Sequence, residues 1–227
     1  MTQYTDFYQK SLQQPDVFWQ EQSLLVDWKD SPQQICDYSN PPFAKWFVGG
    51  TTNLCYNAID RHLEKRANQA AIIEVSTETG KEVVHTFADL HSEVQRMAAS
   101  LLSLGVKKGD RVLIYMPMIA QAAFAMLACV RLGAIHSVVF GGFASHSLAS
   151  RIDDAKPKLI IAAEAGARGG KAVPYKPLLD EAITLASYKP EKVLIVNRGL
   201  TEFTTVAGRD LDYATERQKH LNDLVPI

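Results

Sequence analysis

Gly166-Ala167-Arg168-Gly169-Gly170-Lys171 places three glycines and two cations in six consecutive residues, directly after an apolar run. Glycine lets a backbone approach an anion, arginine clamps phosphate through two parallel hydrogen bonds, and lysine adds a point charge. The segment therefore has the makings of a phosphate-binding turn. A flexible surface turn with solvated cations has the same composition, and the residues alone leave both readings open. It is not a Walker A loop, which needs four residues between its first glycine and the Gly-Lys pair and a hydroxyl after the lysine. Here Gly166 stands one residue too close, and Ala172 has no hydroxyl for magnesium.

Phe140-Gly141-Gly142-Phe143 is the second candidate, a strand-to-helix turn whose amides could meet a ligand ring or phosphate. Tight helix-sheet packing explains paired glycines equally well. No GxGxxG fingerprint is present, which argues against a nicotinamide dehydrogenase. Histidines 62, 85, 91, 136, 146 and 220 lack HExxH or comparable spacing and read as structural or solvated. Asp153-Asp154 beside Lys156-Pro157-Lys158 reads as a solvated charge patch. Cys36, Cys55 and Cys129 are odd in number and form no CxxC or Cys/His cluster, so buried reduced thiols are expected rather than disulfides or zinc. These residues give no catalytic constellation and no metal site.

Rhythmic elements must position the two turns. An amphipathic helix is expected through Asn57 to Leu63, then an apolar run at Ala70 to Ile73 and a hairpin turning at Glu78-Thr79-Gly80-Lys81 into Val83 to Phe87. Thr86-Phe87-Ala88-Asp89 resembles a capping box, and Leu90, Val94, Met97, Ala98, Leu101 and Leu102 share one helical face up to a left-handed C-cap at Gly105. Strand Arg111 to Tyr115 leads through Pro117, suited to a first turn, into helix Met118 to Leu132, which ends at Gly133. Strand Ile135 to Val139, helix Ser145 to Asp154, strand Lys158 to Ala162, helix Leu178 to Ala186 and strand Lys192 to Val196 follow. Short apolar strands separated by helices predict an α/β fold, a parallel or mixed sheet flanked by helices. The turns after Val139 and Ile161 lie at carboxyl ends of such strands, where open α/β sheets place ligands. If their strands are adjacent and parallel, the two turns can form one anion and ring pocket.

The first sixty residues differ in texture, holding Trp19, Trp28 and Trp46 with the breaks Ser31-Pro32, Asn40-Pro41-Pro42 and Gly49-Gly50. They read as a short, mainly helical and irregular extension, with a cap near Asp16 and with Phe43 to Val48 kept from extending far. Its aromatics read as docking anchors rather than a stacking platform. The 227 residues are 47% hydrophobic and 22% charged, with formal charge -1, which excludes disordered, collagenous and membrane classes and gives no pull toward nucleic acid. The polar N-terminus lacks a signal-peptide pattern, so a cytoplasmic location is expected.

Lys45-Trp46-Phe47-Val48-Gly49-Gly50, Asn57 to His62, Leu104 to Val112, Tyr115-Met116-Pro117-Met118 and Ile135 to Phe143 together resemble AMP-forming acetyl- and propionyl-CoA synthetases, adenylate-forming ligases. The likeness runs from about Phe7 to about Pro226. Gly50 to Cys55, Phe143 to Ser147 and Ala165 to Lys171 look more like the propionyl branch, since acetyl enzymes tend to carry Ser-Pro-Glu after Gly-Gly-Phe. The resemblance implies an N-terminal extension over 1–60 and, over 61–227, the first part of the large AMP-binding domain, truncated before the ATP loop and the catalytic lysine.

It also implies a ligase that makes propionyl-CoA, AMP and pyrophosphate from propionate, magnesium-ATP and CoA through an acyl adenylate, with no membrane or nucleic-acid partner. Arg168, Gly169, Gly170 and Lys171 would bind CoA near its 3'-phosphate, and Phe140, Gly141 and Gly142 would border its adenine. Many acetyl enzymes carry arginine where Lys171 stands, so the second cation here would grip less firmly. No catalytic residue and no tightly bound cofactor is expected within the chain, which is expected to need the missing remainder of its own polypeptide and to be inactive alone. An acetyl-CoA synthetase piece and a free-standing, non-catalytic binding module are the alternatives.

Overall fold

The computed structural model describes residues 3–76 and 79–227, which form two compact units that divide between Asn57 and Ala58. Within the first unit, α1 (Gln3–Gln13) and α2 (Pro15–Ser23) precede an antiparallel hairpin of β1 (Gln34–Asn40) and β2 (Phe43–Val48), and the single turn α3 (Leu54–Ala58) ends at the first residue of the second. The hairpin corrects the expectation of a purely helical and irregular extension. Pro41-Pro42 does not stop Phe43 to Val48 from extending; it forms the bend between two strands, and Cys36 pairs with Trp46. The aromatic and β-branched side chains of β2 fit a pleated surface better than a helix. Asp16 is not a cap either. Pro15 opens α2 and Asp16 sits in its first turn, where a carboxylate complements the exposed amides.

The aromatics of this unit pack mainly on one another. Phe7 meets Phe18 edge to face with ring centres 4.7 Å apart, Trp19 meets Trp46 at 5.5 Å, and Trp28 tilts against Phe47 at 5.5 Å. Trp28 Nε1 donates to the Ser23 carbonyl at 2.8 Å. A side chain on Gly50 would stand 2.8 Å from the Trp28 ring, so that glycine is required by packing.

The second unit begins with a 3-10 turn, Asp60–His62, and α4 (Leu63–Arg66), not with the continuous helix expected through Asn57 to Leu63. Buried Ile59 leaves helical geometry at φ -128°, and the break lets Asp60 face Arg131. β3 (Ala70–Ser76) and β4 (Lys81–Thr86) form the expected hairpin; Glu78 of its turn lies outside the described residues. In α5 (Phe87–Ser103) the capping box is complete. Thr86 Oγ1 accepts from the Asp89 amide at 3.1 Å, and Asp89 Oδ2 accepts from the Thr86 amide at 3.0 Å.

There follow β5 (Arg111–Met116), α6 (Ala120–Leu132), β6 (Ile135–Phe140), α7 (Ser145–Ala155), β7 (Leu159–Ala163), β8 (Ala165–Arg168), β9 (Lys171–Pro174), α8 (Tyr175–Leu185), β10 (Lys192–Val196), β11 (Asp210–Asp212) and α9 (Tyr213–Gln218). Helix α6 starts at Ala120, two residues later than expected. Pro117 lies in the preceding turn, where its carbonyl accepts from the Ile119 amide, and Met118 is 96% exposed.

Five parallel strands form the main sheet in the order β11-β10-β7-β5-β6. The first strand is thus flanked by the second on one side and by the third, fourth and fifth on the other, a doubly wound order with its switch point between β5 and β7. Right-handed crossovers that run in opposite directions place α6 and α7 on opposite faces. Helices α5 and α9 pack with the α6 layer, and α7 packs with α8. On the α7/α8 face, Leu113, Tyr115, Ile160, Ala162, Val193 and Ile195 meet Leu148, Ile152, Leu179 and Ile183. The alternate residues Val112, Ile114, Ile161 and Leu194 are buried as well, as covering on both faces requires. Among the described residues no helix is long and apolar enough to cross a membrane.

Candidate functional site

Arg168 and Lys171 face each other at the end of the β8/β9 hairpin, with Gly169-Gly170 as its loop. The segment is therefore not a bare turn after β7 but a separate two-stranded arm beginning one residue past it. Both loop glycines have positive φ, +59° and +74°, as a two-residue hairpin loop of the favoured type requires. Nothing lies within 4 Å of either glycine's missing side chain, so conformation alone calls for glycine here. Both cations are exposed, and among the described residues neither pairs with a carboxylate. Like charges directly opposite across a strand pair oppose hairpin formation by about 0.2–1 kcal/mol. An anion between them reverses that sign.

Phe140 to Phe143 forms the turn at the end of β6. The Phe140 carbonyl accepts from the Phe143 amide, and Gly142 has φ +87°. The Phe140 ring is 72% exposed and meets Phe143 edge to face at 5.8 Å, while the Arg151 guanidinium lies 4.7 Å from the Phe143 ring centre. The turn is held to β5 by Tyr115, whose hydroxyl donates to the Phe143 carbonyl at 3.3 Å. Gly141 stands against Tyr175, whose hydroxyl would be 2.7 Å from any side-chain carbon there. Packing thus accounts for Gly141. What this turn presents outward is the Phe140 ring.

β6 and β7 are not neighbours, contrary to the condition set for a joint pocket, because β5 runs between them. The two segments nevertheless open on the same carboxyl edge. They are joined by residues that sequence reasoning passed over. Tyr175 follows β9 and opens α8, and its ring lies 5.1 Å from that of Tyr115, tilted by 38°. Tyr115 Oη also donates to the Phe143 carbonyl at 3.3 Å; burial pushes this phenol up to about 12 and keeps its proton in place.

Glu164, fully buried, is the other organiser. Its carboxylate accepts from the Arg198 amide at 2.8 Å and the Leu200 amide at 2.9 Å, and its carbonyl accepts from the amides of Tyr175 and Lys176. These bonds tie the loop after β10 to the base of the hairpin. Beside them an open groove of about 640 Å³ is lined by Asn197, Leu200, Thr201, Glu202 and Phe203. A lone carboxylate ending the apolar run Ile160 to Ala163 was the available signal for Glu164. Nothing local marked Tyr175, whose partners lie in other elements.

The remaining candidates stay apart. Among the described residues no group of histidine, cysteine and acidic side chains could hold a metal ion. Asp153 is more than a solvated charge: Oδ1 accepts from the Tyr188 amide at 2.7 Å, and the amides of Tyr188 and Ser187 hold its carboxyl below the usual range. Cys55 and Cys129 are buried and Cys36 half-buried, and burial pushes the Cys129 thiol up to about 12. That thiol is inert as a nucleophile.

Comparison with known proteins agrees with this architecture. Residues 59–224 match the AMP-binding enzyme family, and residues 4–58 match the acetyl-coenzyme A synthetase N-terminus. The chain is 58% identical over 224 residues to a propionate-CoA ligase of Salmonella typhimurium, covering 99% of this chain and 36% of that protein. It is 42% identical over 229 residues to the human mitochondrial acyl-CoA synthetase short-chain family member 3, covering 100% of this chain and 33% of that protein. Acetoacetyl-CoA synthetase from Streptomyces lividans superposes with a TM-score of 0.85 at 26% identity, over 100% of this chain and 35% of that one. The chain spans about a third of the length of the curated relatives it matches. Fold and similarity converge on one assignment: the chain belongs to the AMP-binding enzyme family.

Proposed function

We propose that the chain works within an AMP-forming acid-thiol ligase that joins propionate to CoA at the expense of magnesium-ATP in the cytoplasm, and that it supplies part of the CoA site. On this reading residues 1–60 are the extension and residues 61–227 belong to the AMP-binding domain. Arg168 and Lys171 receive the 3'-phosphate of CoA at the hairpin end. Gly169 and Gly170 give that end its shape, and the Phe140 ring with Gly141 and Gly142 borders the adenine. The observation that carries this is the pair of exposed cations held opposite each other with no carboxylate partner among the described residues. Propionate as the acid rests on the 58% identity to a propionate-CoA ligase.

Titration calorimetry of this chain with CoA and with dephospho-CoA, which lacks only the 3'-phosphate, tests the site. CoA should bind more tightly by on the order of tenfold, the scale of a charge-assisted contact, and Arg168→Ala should remove the preference. Equal affinities for the two ligands would overturn the assignment. The reaction is tested with a polypeptide of the relatives' length that carries these residues. Pyrophosphate release should depend on propionate more than on acetate, and the reverse order would replace the acid named here.

A further inference from the structure

We propose that Tyr175 is a positioning residue whose ring fixes the distance between the Phe140 turn and the Arg168 hairpin, so that the adenine and the 3'-phosphate of one nucleotide are held together. The inference rests on the CoA reading above. The need for such a spacer follows from the sheet order. The turn ends β6 and the hairpin follows β7, and β5 runs between them, so no backbone ladder links the two segments.

Tyr175 supplies the link with a nearly buried ring. A side-chain carbon at Gly141 would stand 2.7 Å from its hydroxyl and 2.8 Å from Cε2; one at Gly166, on the hairpin, would meet the same hydroxyl still more closely. One ring is therefore in contact with both segments, and both contacts exist only because each segment offers a glycine. Tyr115 braces the ring from β5 and holds the far side of the turn through the Phe143 carbonyl. Packed rings are not compressible on the scale of a ligand contact, so the spacing is set by the width of the tyrosine. The two cations sit at the hairpin end, so recognition of the phosphate falls to the hairpin, and its reach is what the spacer controls.

The test compares CoA with dephospho-CoA by calorimetry for the wild-type chain, Tyr175→Phe, Tyr175→Ala, Arg168→Ala and the Arg168→Ala/Tyr175→Ala double variant, with unfolding midpoints measured alongside. Tyr175→Phe keeps the ring and should keep the preference for CoA within about twofold. Tyr175→Ala should lose the preference, and adding Arg168→Ala should then cost nothing more, the non-additivity expected of residues that act through one contact. A Tyr175→Ala protein that keeps the full preference overturns the proposal, and so does one that loses affinity for both ligands equally. Should Tyr175→Ala fail to fold, Gly166→Ala displaces the hairpin without emptying the core and must give the same loss of preference. If Arg168→Ala leaves the preference intact, the CoA site itself is wrong. If Arg168→Ala abolishes it and the Tyr175 variants do not, only the spacer is wrong.

Discussion

Arg131, in the last turn of α6, reaches both carboxylate oxygens of Asp60 through Nη1 at 3.0 and 2.9 Å, while its Nε donates to the Val225 carbonyl at 2.7 Å. One buried guanidinium thus joins the start of the second unit to residues near Ile227. Removing one partner of a buried pair leaves the other charge uncompensated, at a cost of about 3–5 kcal/mol. Asp60→Asn should lower stability by roughly 3 kcal/mol in urea denaturation. Arg131→Lys should destabilise by less, because an ammonium keeps a charge beside Asp60 but cannot replace both arms of the fork.

The same carboxylate predicts a pH response. Burial works to raise the Asp60 pKa, but His91 and Arg131 outweigh it and bring it from the usual 3.8 to about 2. A lowered folded-state value adds stability that is complete above the unfolded value and is lost as the pH falls through the folded one. Between about pH 4 and about pH 2 the chain should lose roughly 2 kcal/mol through this group. Acid titration of the unfolding free energy should show that component missing in Asp60→Asn.

Lys176 is buried with Nζ 2.5 Å from Asp180 Oδ2 and 2.9 Å from Asp210 Oδ2, and Arg209 closes the network on both carboxylates. Burial opposes ionisation of Asp210, yet Arg209, the Val206 amide and Lys176 hold its carboxyl below the usual range. Lys176→Met should destabilise the fold by about 3 kcal/mol, since the buried side chain of Asp210 loses a cation. Thermal unfolding measures this, and a drop within about 0.5 kcal/mol would assign the network no more than a surface role.

At the hairpin loop, Gly169→Ala and Gly170→Ala each force a side chain into positive φ, costing about 1–2 kcal/mol locally, although no atom stands in the way. Asparagine tolerates that conformation, so Gly170→Asn should retain CoA affinity better than Gly170→Ala. Equal losses would indicate a steric role.

Binding of the 3'-phosphate by two exposed cations should weaken with salt. Raising ionic strength from about 0.05 to 0.5 M should narrow the preference for CoA over dephospho-CoA, because exposed charges are screened over about 10 Å or less. A salt-independent preference would point to a desolvated contact instead.

Individual elements show where local sequence information suffices. The α5 capping box, the left-handed glycine that follows α5, the end of α6 at Gly133 and the limits of β10 were legible because each depends on residues a few positions apart. The β1/β2 hairpin was missed because its proline pair signals a break without saying what flanks it. The helix expected through Asn57 to Leu63 failed for a different reason. Asp60 is drawn to Arg131, seventy-one residues away, and helix periodicity carries no trace of that partner.

By itself the sequence determined the alternation of apolar strands and helices, hence the α/β class, and it placed two cations around a glycine pair. These follow from periodicity and local conformational preference, which act within one element. The tertiary structure alone decided that β5 separates the two candidate segments, that a hairpin arm carries Arg168 opposite Lys171, and that Tyr175 spans the gap between Gly141 and Gly166. Strand order and ring packing arise from contacts between residues distant in the chain, and no spacing along the sequence encodes which of them will meet.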